Sequence, residues 1–213
     1  KTFQETLKAI AFPMLGMGPD DPLQFAHDLG SQVLIAFQKI TEIRTSIKSP
    51  EQQLQSILGI IGETFDFPLV LLEQYDANHE QLRLVSLKGA SLSSDHKQTF
   101  TPIFQSLSGT VISTQEPMVW AEVADPISLP QLEGVELFAS SFHTVIGLPL
   151  ISHQQVLGVL TLAHPEYRFS EKYVLHWLNC LAIHITSVLD EIQNHQTQHQ
   201  IQERLELTAL GLQ

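Results

Sequence analysis

The stretch that decides how this chain folds runs Phe142-His143-Thr144-Val145-Ile146-Gly147-Leu148-Pro149-Leu150-Ile151, then Ser152-His153-Gln154-Gln155, then Val156-Leu157-Gly158-Val159-Leu160-Thr161-Leu162-Ala163. Two apolar runs rich in Val, Ile and Leu around a short polar turn read as a β-hairpin. Gly158 stands inside the second run, where a missing side chain marks a bulge or a close backbone approach. Pro149 has no N–H to give to a ladder, so it belongs at an edge or a bulge. A second hairpin is expected upstream, from Pro68 to Tyr75 and Gln81 to Leu87 around Asp76-Ala77-Asn78-His79-Glu80.

Between the hairpins the pattern is mixed. Ser91 to Ser113 is expected to hold one or two short helices, with Phe100, Ile103, Phe104 and Leu107 as their apolar side, and Pro117 to Val123 reads as a strand. Residues 124–141 form a long connection with little periodicity, and a loop of that length usually has a task, such as covering a binding site.

Helices flank this β-rich centre. Residues 1–20 form an N-terminal extension ending in a loop rich in Gly, Met and Pro. Asp21-Pro22 supplies an N-cap with proline at the first helical position. Ala26, Leu29, Val33, Ala36, Ile40, Ile43 and Ile47 then follow at spacings of 3, 4, 3, 4, 3 and 4, the seam of a coiled coil. This assigns residues 21–48 to a dimerisation helix. The alternative is burial against the chain's own domain, with Phe25, Leu34 and Phe37 widening the apolar face. Ser49-Pro50-Glu51-Gln52 restarts a helix with a capping box, and Leu54, Ile57, Leu58, Ile61 and Phe65 make its core stripe. The last helix opens at Phe169-Ser170 and runs without proline or glycine to Leu210, about 40 residues or on the order of 60 Å. A domain of about 150 residues has a radius of gyration of only about 15 Å, so the end of this helix must leave the body. Leu181, Ile185, Val188 and Ile192 extend its seam, which is expected to pair with a second copy in a parallel bundle.

Composition narrows the function. In 213 residues, 23 acidic against 11 basic side chains give a net charge of −12, with 43% hydrophobic and 16% charged residues. The pI is about 5.1. This is a globular composition, and it opposes a nucleic-acid groove or an anionic-membrane surface, both of which need clustered positive charge. No apolar run approaches the roughly 20 residues of a membrane span. One cysteine excludes an intrachain disulfide framework and suits a reducing compartment, so a cytoplasmic location is expected. The first residue is Lys, which reads as a piece of a longer protein.

Three motifs in order then carry a resemblance. Gly109 to Pro117 resembles a glycine-led helix ending in a turn before a strand, with Gln115 where glycine is usual. Gly147-Leu148-Pro149-Leu150 with Val156-Leu157-Gly158-Val159-Leu160 resembles an "s-v-P-L … v-i-G-v-l" hairpin, and Phe169-Ser170-Glu171 resembles an "F-[ST]" helix start. Together, over roughly residues 45–190, they resemble the GAF domain, a small-molecule sensing module of signalling proteins. The resemblance implies an α+β fold: an antiparallel sheet of five or six strands, helices on one face and a long C-terminal signalling helix. The domain proper would be 49–190, with 191–213 leading to a missing output domain. It implies a ligand on the other face, under the insert and the 124–141 loop. Strand alternation and the aromatic insert nominate Tyr75, Phe104, Trp120, Phe138, Phe142 and Thr161 as its lining, the alternative being a second small core.

The chemistry is sparse. His176, Cys180 and His184 lie along one helical row, and the outer two are too far apart to share a tetrahedral ion. His195 and His199 have metal spacing but sit in a solvated, glutamine-rich stretch, so no metal site is assigned. Cys180 falls in an apolar helical run, where thiols are usually inert. No nucleophile elbow, phosphate loop or metalloprotease motif appears, so no catalytic residue is assigned and the fragment is expected not to be an enzyme. Within the family, the missing cysteine near 124–143 excludes the usual covalent bilin, no cyclic-nucleotide signature is present, and His143 as an iron or haem ligand is less favoured than a solvent-facing strand histidine. The ligand stays unknown. The reading is a sensory input module that binds a small ligand, or relays an upstream signal, through a dimeric bundle to a histidine-kinase output. Rivals are a structural spacer, the input module of a cyclic-di-GMP synthase or phosphodiesterase, and a methionine-sulfoxide-reductase-type enzyme.

Overall fold

The computed structural model describes residues 22–47, 49–92, 100–103, 106–121, 135–137, 142–166 and 172–209. Chain order gives helix α1 (Pro22–Ser46), α2 (Pro50–Thr64), strands β1 (Leu69–Asp76), β2 (Gln81–Lys88), β3 (Ala90–Leu92) and β4 (Phe100–Pro102), helix α3 (Leu107–Thr114), strands β5 (Met118–Ala121), β6 (Val135–Leu137), β7 (Thr144–Ser152) and β8 (Gln155–His164), and helix α4 (Lys172–Ala209). Six strands form an antiparallel sheet in the order β4-β2-β1-β8-β7-β5, and β3 pairs with β6 in a separate ribbon.

Both hairpins form where the apolar runs place them. The β7–β8 turn is closed by the Ser152 and Gln155 pair, with His153 and Gln154 both at positive φ, the backbone of a two-residue turn matched to strand twist. Along this hairpin Leu150 faces Gly158 and Ile151 faces Val156, so Leu157 is an extra, bulged residue. Pro149 sits just before that bulge and beyond the last residue of β7 paired with β5, Gly147, so its missing donor leaves no ladder partner bare. Gly158 is fixed by the neighbouring strand: a Cβ there would lie 2.2 Å from the Glu73 carbonyl oxygen.

Two layers of helix cover one face of the sheet. Side chains from α2 (Leu54, Ile57, Leu58, Ile61), α4 (Leu178, Leu181, Ile185, Val188), β1 (Val70, Leu72), β7 (Ile146, Leu148, Leu150) and β8 (Leu160, Leu162) share one buried cluster. Leu29, Val33, Ala36 and Ile40 of α1 belong to the same cluster. The turn from α1 into α2 is tied by the Gln53 side-chain amide donating to the Ile47 carbonyl at 2.6 Å. Ser49 caps α2 by accepting from the Gln52 amide, while its own hydroxyl donates to Glu51 at 2.7 Å. Arg44, near the end of α1, donates to the His184 carbonyl at 3.2 Å and stands 3.9 Å from the Glu191 carboxylate.

This arrangement corrects the reading of the two stripes as faces left bare for a second copy. Leu29, Val33, Ala36, Ile40, Leu181, Ile185 and Val188 are buried within one chain, and Ile43 and Ile192 pack against them. Ile47 is half-buried, and the side chain of Ala26 lies outside the described residues. The physical reason is that α1 folds back over α2 and α4, so the 3/4 spacing is spent on helix packing inside the chain. Among the described helix residues, the large apolar side chains left in water are others: Leu34 (66% exposed) and Ile35 (54%) on α1, Ile183 (66%) and Leu205 (65%) on α4.

Two corrections concern the middle of the chain. Of the segment expected to hold one or two short helices, residues from Leu107 on form α3 as expected, but Ser91 and Leu92 belong to β3 and Phe100–Pro102 to β4, and the 124–141 connection contains β6. The start of the last helix at Phe169-Ser170 lies outside the described residues, and α4 is described from Lys172.

Replacing Gly158 with Ala forces its Cβ onto the β1 backbone and is expected to lower unfolding stability by about 1–3 kcal/mol in urea titration. Ile40→Ala removes a fully buried side chain and is expected to remove about 2–5 kcal/mol. That loss should be the same at low and high protein concentration, because the cavity lies within one chain.

Candidate functional site

The face of the sheet away from the large core is built by alternate residues. Along β1 these are Leu69, Leu71, Glu73 and Tyr75, and along β8 they are Val159, Thr161 and Ala163. Registers set them side by side: Leu69 with Ala163, Leu71 with Thr161, Glu73 with Val159. On the flanks, Tyr75 pairs with Leu82, Val145 with Ala163 and Trp120, and Gly147 with Thr161 and Met118.

Helix α3 lies across this face. Ser106 caps it by accepting from the Gly109 amide at 2.9 Å, and Gln115 ends it in the left-handed region at φ 55°. That is the conformation glycine adopts most easily, which explains why a glycine is usual there. Close approach of α3 to β7 depends on Gly147, whose Cβ would meet Val111 Cγ2 at 2.6 Å and the Trp120 ring at 3.1 Å. Val111 and Ile112 then pack with Leu82, Val159, Tyr75, Met118 and Trp120. A neighbouring cluster gathers Leu69, Leu71, Phe142, Val145 and Ala163, again with Trp120 at its margin.

Of the six nominated lining residues, Tyr75, Trp120, Phe142 and Thr161 therefore share this face. Trp120 joins the two clusters, Phe142 is fully buried in one, and Tyr75 packs in the other. Phe104 and Phe138 lie outside the described residues.

Sequence reasoning missed the most unusual group on the face. Glu73 is only 6% exposed. Its carboxylate oxygen Oε2 stands 2.5 Å from the hydroxyl of Ser108, itself buried in the first turn of α3. Burial raises the Glu73 carboxyl above its ordinary value of 4.5, and the Ser108 hydrogen bond offsets this only in part. Among the described residues no cation stands against it. A signal was present in the sequence: Leu69-Val70-Leu71-Leu72-Glu73 puts an acid in phase with the leucines of one strand face.

The histidine row behaves differently. Cys180 is half-exposed rather than a core thiol, and its sulfur lies 3.9 Å from His176 Nε2. His184 is turned to the Phe37 ring, and desolvation, with Arg44 nearby, lowers its pKa. Among the described residues no group of three or more His, Cys, Asp or Glu could hold a metal ion, and no helix is long and apolar enough to cross a membrane.

A family model of the GAF domain matches residues 49–189. The chain belongs to the GAF domain family. Solved structures agree in fold. The GAF domain of a Coxiella burnetii phosphoenolpyruvate-protein phosphotransferase superposes with a TM-score of 0.65 at 20% identity, over 78% of this chain and 98% of that one. The corresponding Acinetobacter domain gives 0.59 at 14% identity, over 77% and 93%. Free methionine-R-sulfoxide reductase from Neisseria meningitidis gives 0.60 at 16% identity, over 85% and 98%. At these identities the likeness is one of fold. No curated protein matches the chain.

The buried carboxyl makes stability depend on pH with a definite sign. Because its folded-state value is raised, its contribution is present below the ordinary value and lost as pH rises through the raised one. Glu73→Gln keeps the shape and removes the titration. The stability of this variant relative to wild type should therefore climb from pH 5 to pH 8, read from paired urea midpoints; a constant difference would contradict the burial argument.

Proposed function

We propose that this GAF domain is the input module of a larger cytoplasmic signalling protein, binding a small ligand on the α3 face and passing its state along α4. The observation that carries the reading is α4 itself. Its 38 residues span about 57 Å at 1.5 Å per residue. Burial ends at Ile192 and Gln193, after which each described side chain (Asn194, Gln198, Gln202, Leu205) is exposed. A helix end of about four further turns whose described side chains are exposed is marginal alone and is stabilised by another helix beside it.

In this reading the homodimer forms through the outer surfaces of the terminal helices. Leu34, Ile35, Ile183 and Leu205 supply the contacts, while the heptad positions are occupied within the chain. The output domain we assign is a histidine kinase. Its support is the stretch Gln202 to Gln213, which resembles the "R-L-E-L-a-l" lead-in that often precedes a PAS domain in such proteins; a cyclic-di-GMP enzyme is the alternative output. The module carries no assigned catalytic residue. Its single cysteine sits on α4, across the sheet from Glu73, which disfavours a cysteine-based reductase. A ligand-free spacer remains the second reading, favoured by the complete burial of Phe142.

Sedimentation velocity at micromolar concentration tests the bundle. Wild type is expected to sediment as a dimer. The double substitution Leu34→Glu and Ile183→Glu should give a monomer with a melting temperature within a few degrees of wild type. A monomeric wild type would overturn the bundle.

A further inference from the structure

Glu73 occupies the centre of the sheet, on the strand flanked by β2 and β8, where its neighbours on the same face include Leu69, Leu71, Leu82, Val159 and Ala163. A leucine there would pack without desolvating a charge, so packing alone does not explain an acid. The polar groups near it are few and convergent. Ser108 holds one carboxylate oxygen from α3. Thr161, also buried, sits diagonally across the ladder from Glu73, within reach of a long side chain. Tyr75 is the next residue of β1 on the same face. An apolar surface with a small number of convergent polar groups, one of them an ionisable residue displaced from its ordinary behaviour, is the chemistry of a ligand site.

The groups that the described residues set against the carboxyl point to the ligand's chemistry. Buried carboxylates are normally matched by a cation or by several donors. Here the hydroxyl of Ser108 is the bonded partner, and no Lys, Arg or His among the described residues faces the carboxyl from β1, β2, β8 or α3.

We propose that Glu73 is the polar anchor of a site for a small, flat, protonatable nitrogen compound of the amidine or amino-heterocycle class, with Ser108 as the hydroxyl that the ligand displaces. The ligand's N–H groups donate to the Glu73 carboxyl, and its charge holds that group ionised against the burial that favours the neutral form. Its apolar body lies against Leu71, Val159 and Tyr75. Ser108 gives up its bond to Glu73 when the ligand enters, so α3 is the element that moves. This inference rests on the ligand-binding reading above and gives that reading a chemical class.

Benzamidine, benzamide and benzoate share one ring and differ in charge, so they serve as probes, followed by amide NMR shifts on the full labelled chain. Benzamidine is expected to shift the Ser108 and Thr161 resonances saturably in the millimolar range, while benzoate leaves them in place. Glu73→Gln should weaken benzamidine at least tenfold, and Ser108→Ala, which removes the competing hydroxyl but keeps the carboxylate, should bind at least as tightly as wild type. The Ser108 variant keeps the test decisive if the Glu73 variant unfolds. Benzamidine without effect, or equal binding by Glu73→Gln, overturns the proposal. Shifts by benzamide or benzoate alone would overturn the ligand class while supporting a ligand face; silence of all three probes would overturn the anchor and leave the spacer reading standing.

Discussion

The central stretches of strands β1 and β8 have no side open to water, and the rest of the molecule is arranged around that fact. Leu69 to Leu72 are buried at consecutive positions, as are Leu157 to His164. Consecutive rather than alternate burial means each strand needs cover on both faces. On one side α2 and α4 meet Val70, Leu72, Leu160 and Leu162, and α1 closes over both helices. On the other, the thinner layer of α3 and its neighbours must suffice. That asymmetry separates a large core from two small ones. It also requires close approaches that only glycine permits: Gly158 under the β1 backbone and Gly147 under Val111.

Legibility followed the length and regularity of the elements. Both hairpins could be read because runs of eight to ten residues with polar turns between them leave one simple solution. Strands β3, β4 and β6 span three residues each, too short for a periodic signal, and they exist because a partner strand pairs with them. The heptad spacing on α1 misled for a different reason. A seam of Leu29, Val33, Ala36 and Ile40 satisfies knobs-into-holes packing equally well with a helix of the same chain or of another. Spacing fixes the face that is buried and says nothing about whose atoms bury it. Leu34 and Ile35, which sequence reasoning treated as widening that face or passed over, are the ones left outside.

The candidate site shows the same division. Alternation placed Tyr75, Trp120, Phe142 and Thr161 on a common face, because strand parity is a local property. It did not single out Glu73, because attention to aromatic residues ignores the more telling signal, an acid in phase with leucines. Which helix would meet that acid depended on how α3 crosses the sheet, and that depends on Gly147 and Ser106 together.

A sensing role adds one demand to this architecture: two arrangements of similar free energy that a ligand can tell apart. The large core is a poor place for them, since removing any of its side chains opens a cavity. The α3 layer is better suited. It is a short helix resting on small clusters, tied to the central strand by Ser108 and Glu73, a pair whose strength changes with the charge of the carboxyl. Strand β7 lies between α3 and α4, with Gly147 facing one and Ile146, Leu148 and Leu150 facing the other. In the proposed reading, a shift of α3 would reach the same strand that seats α4. On the proposed sensing role, an acid kept where a hydrocarbon would be more stabilising is the point at which a change of charge alters the hold of α3 on the sheet, and the large core need not change with it.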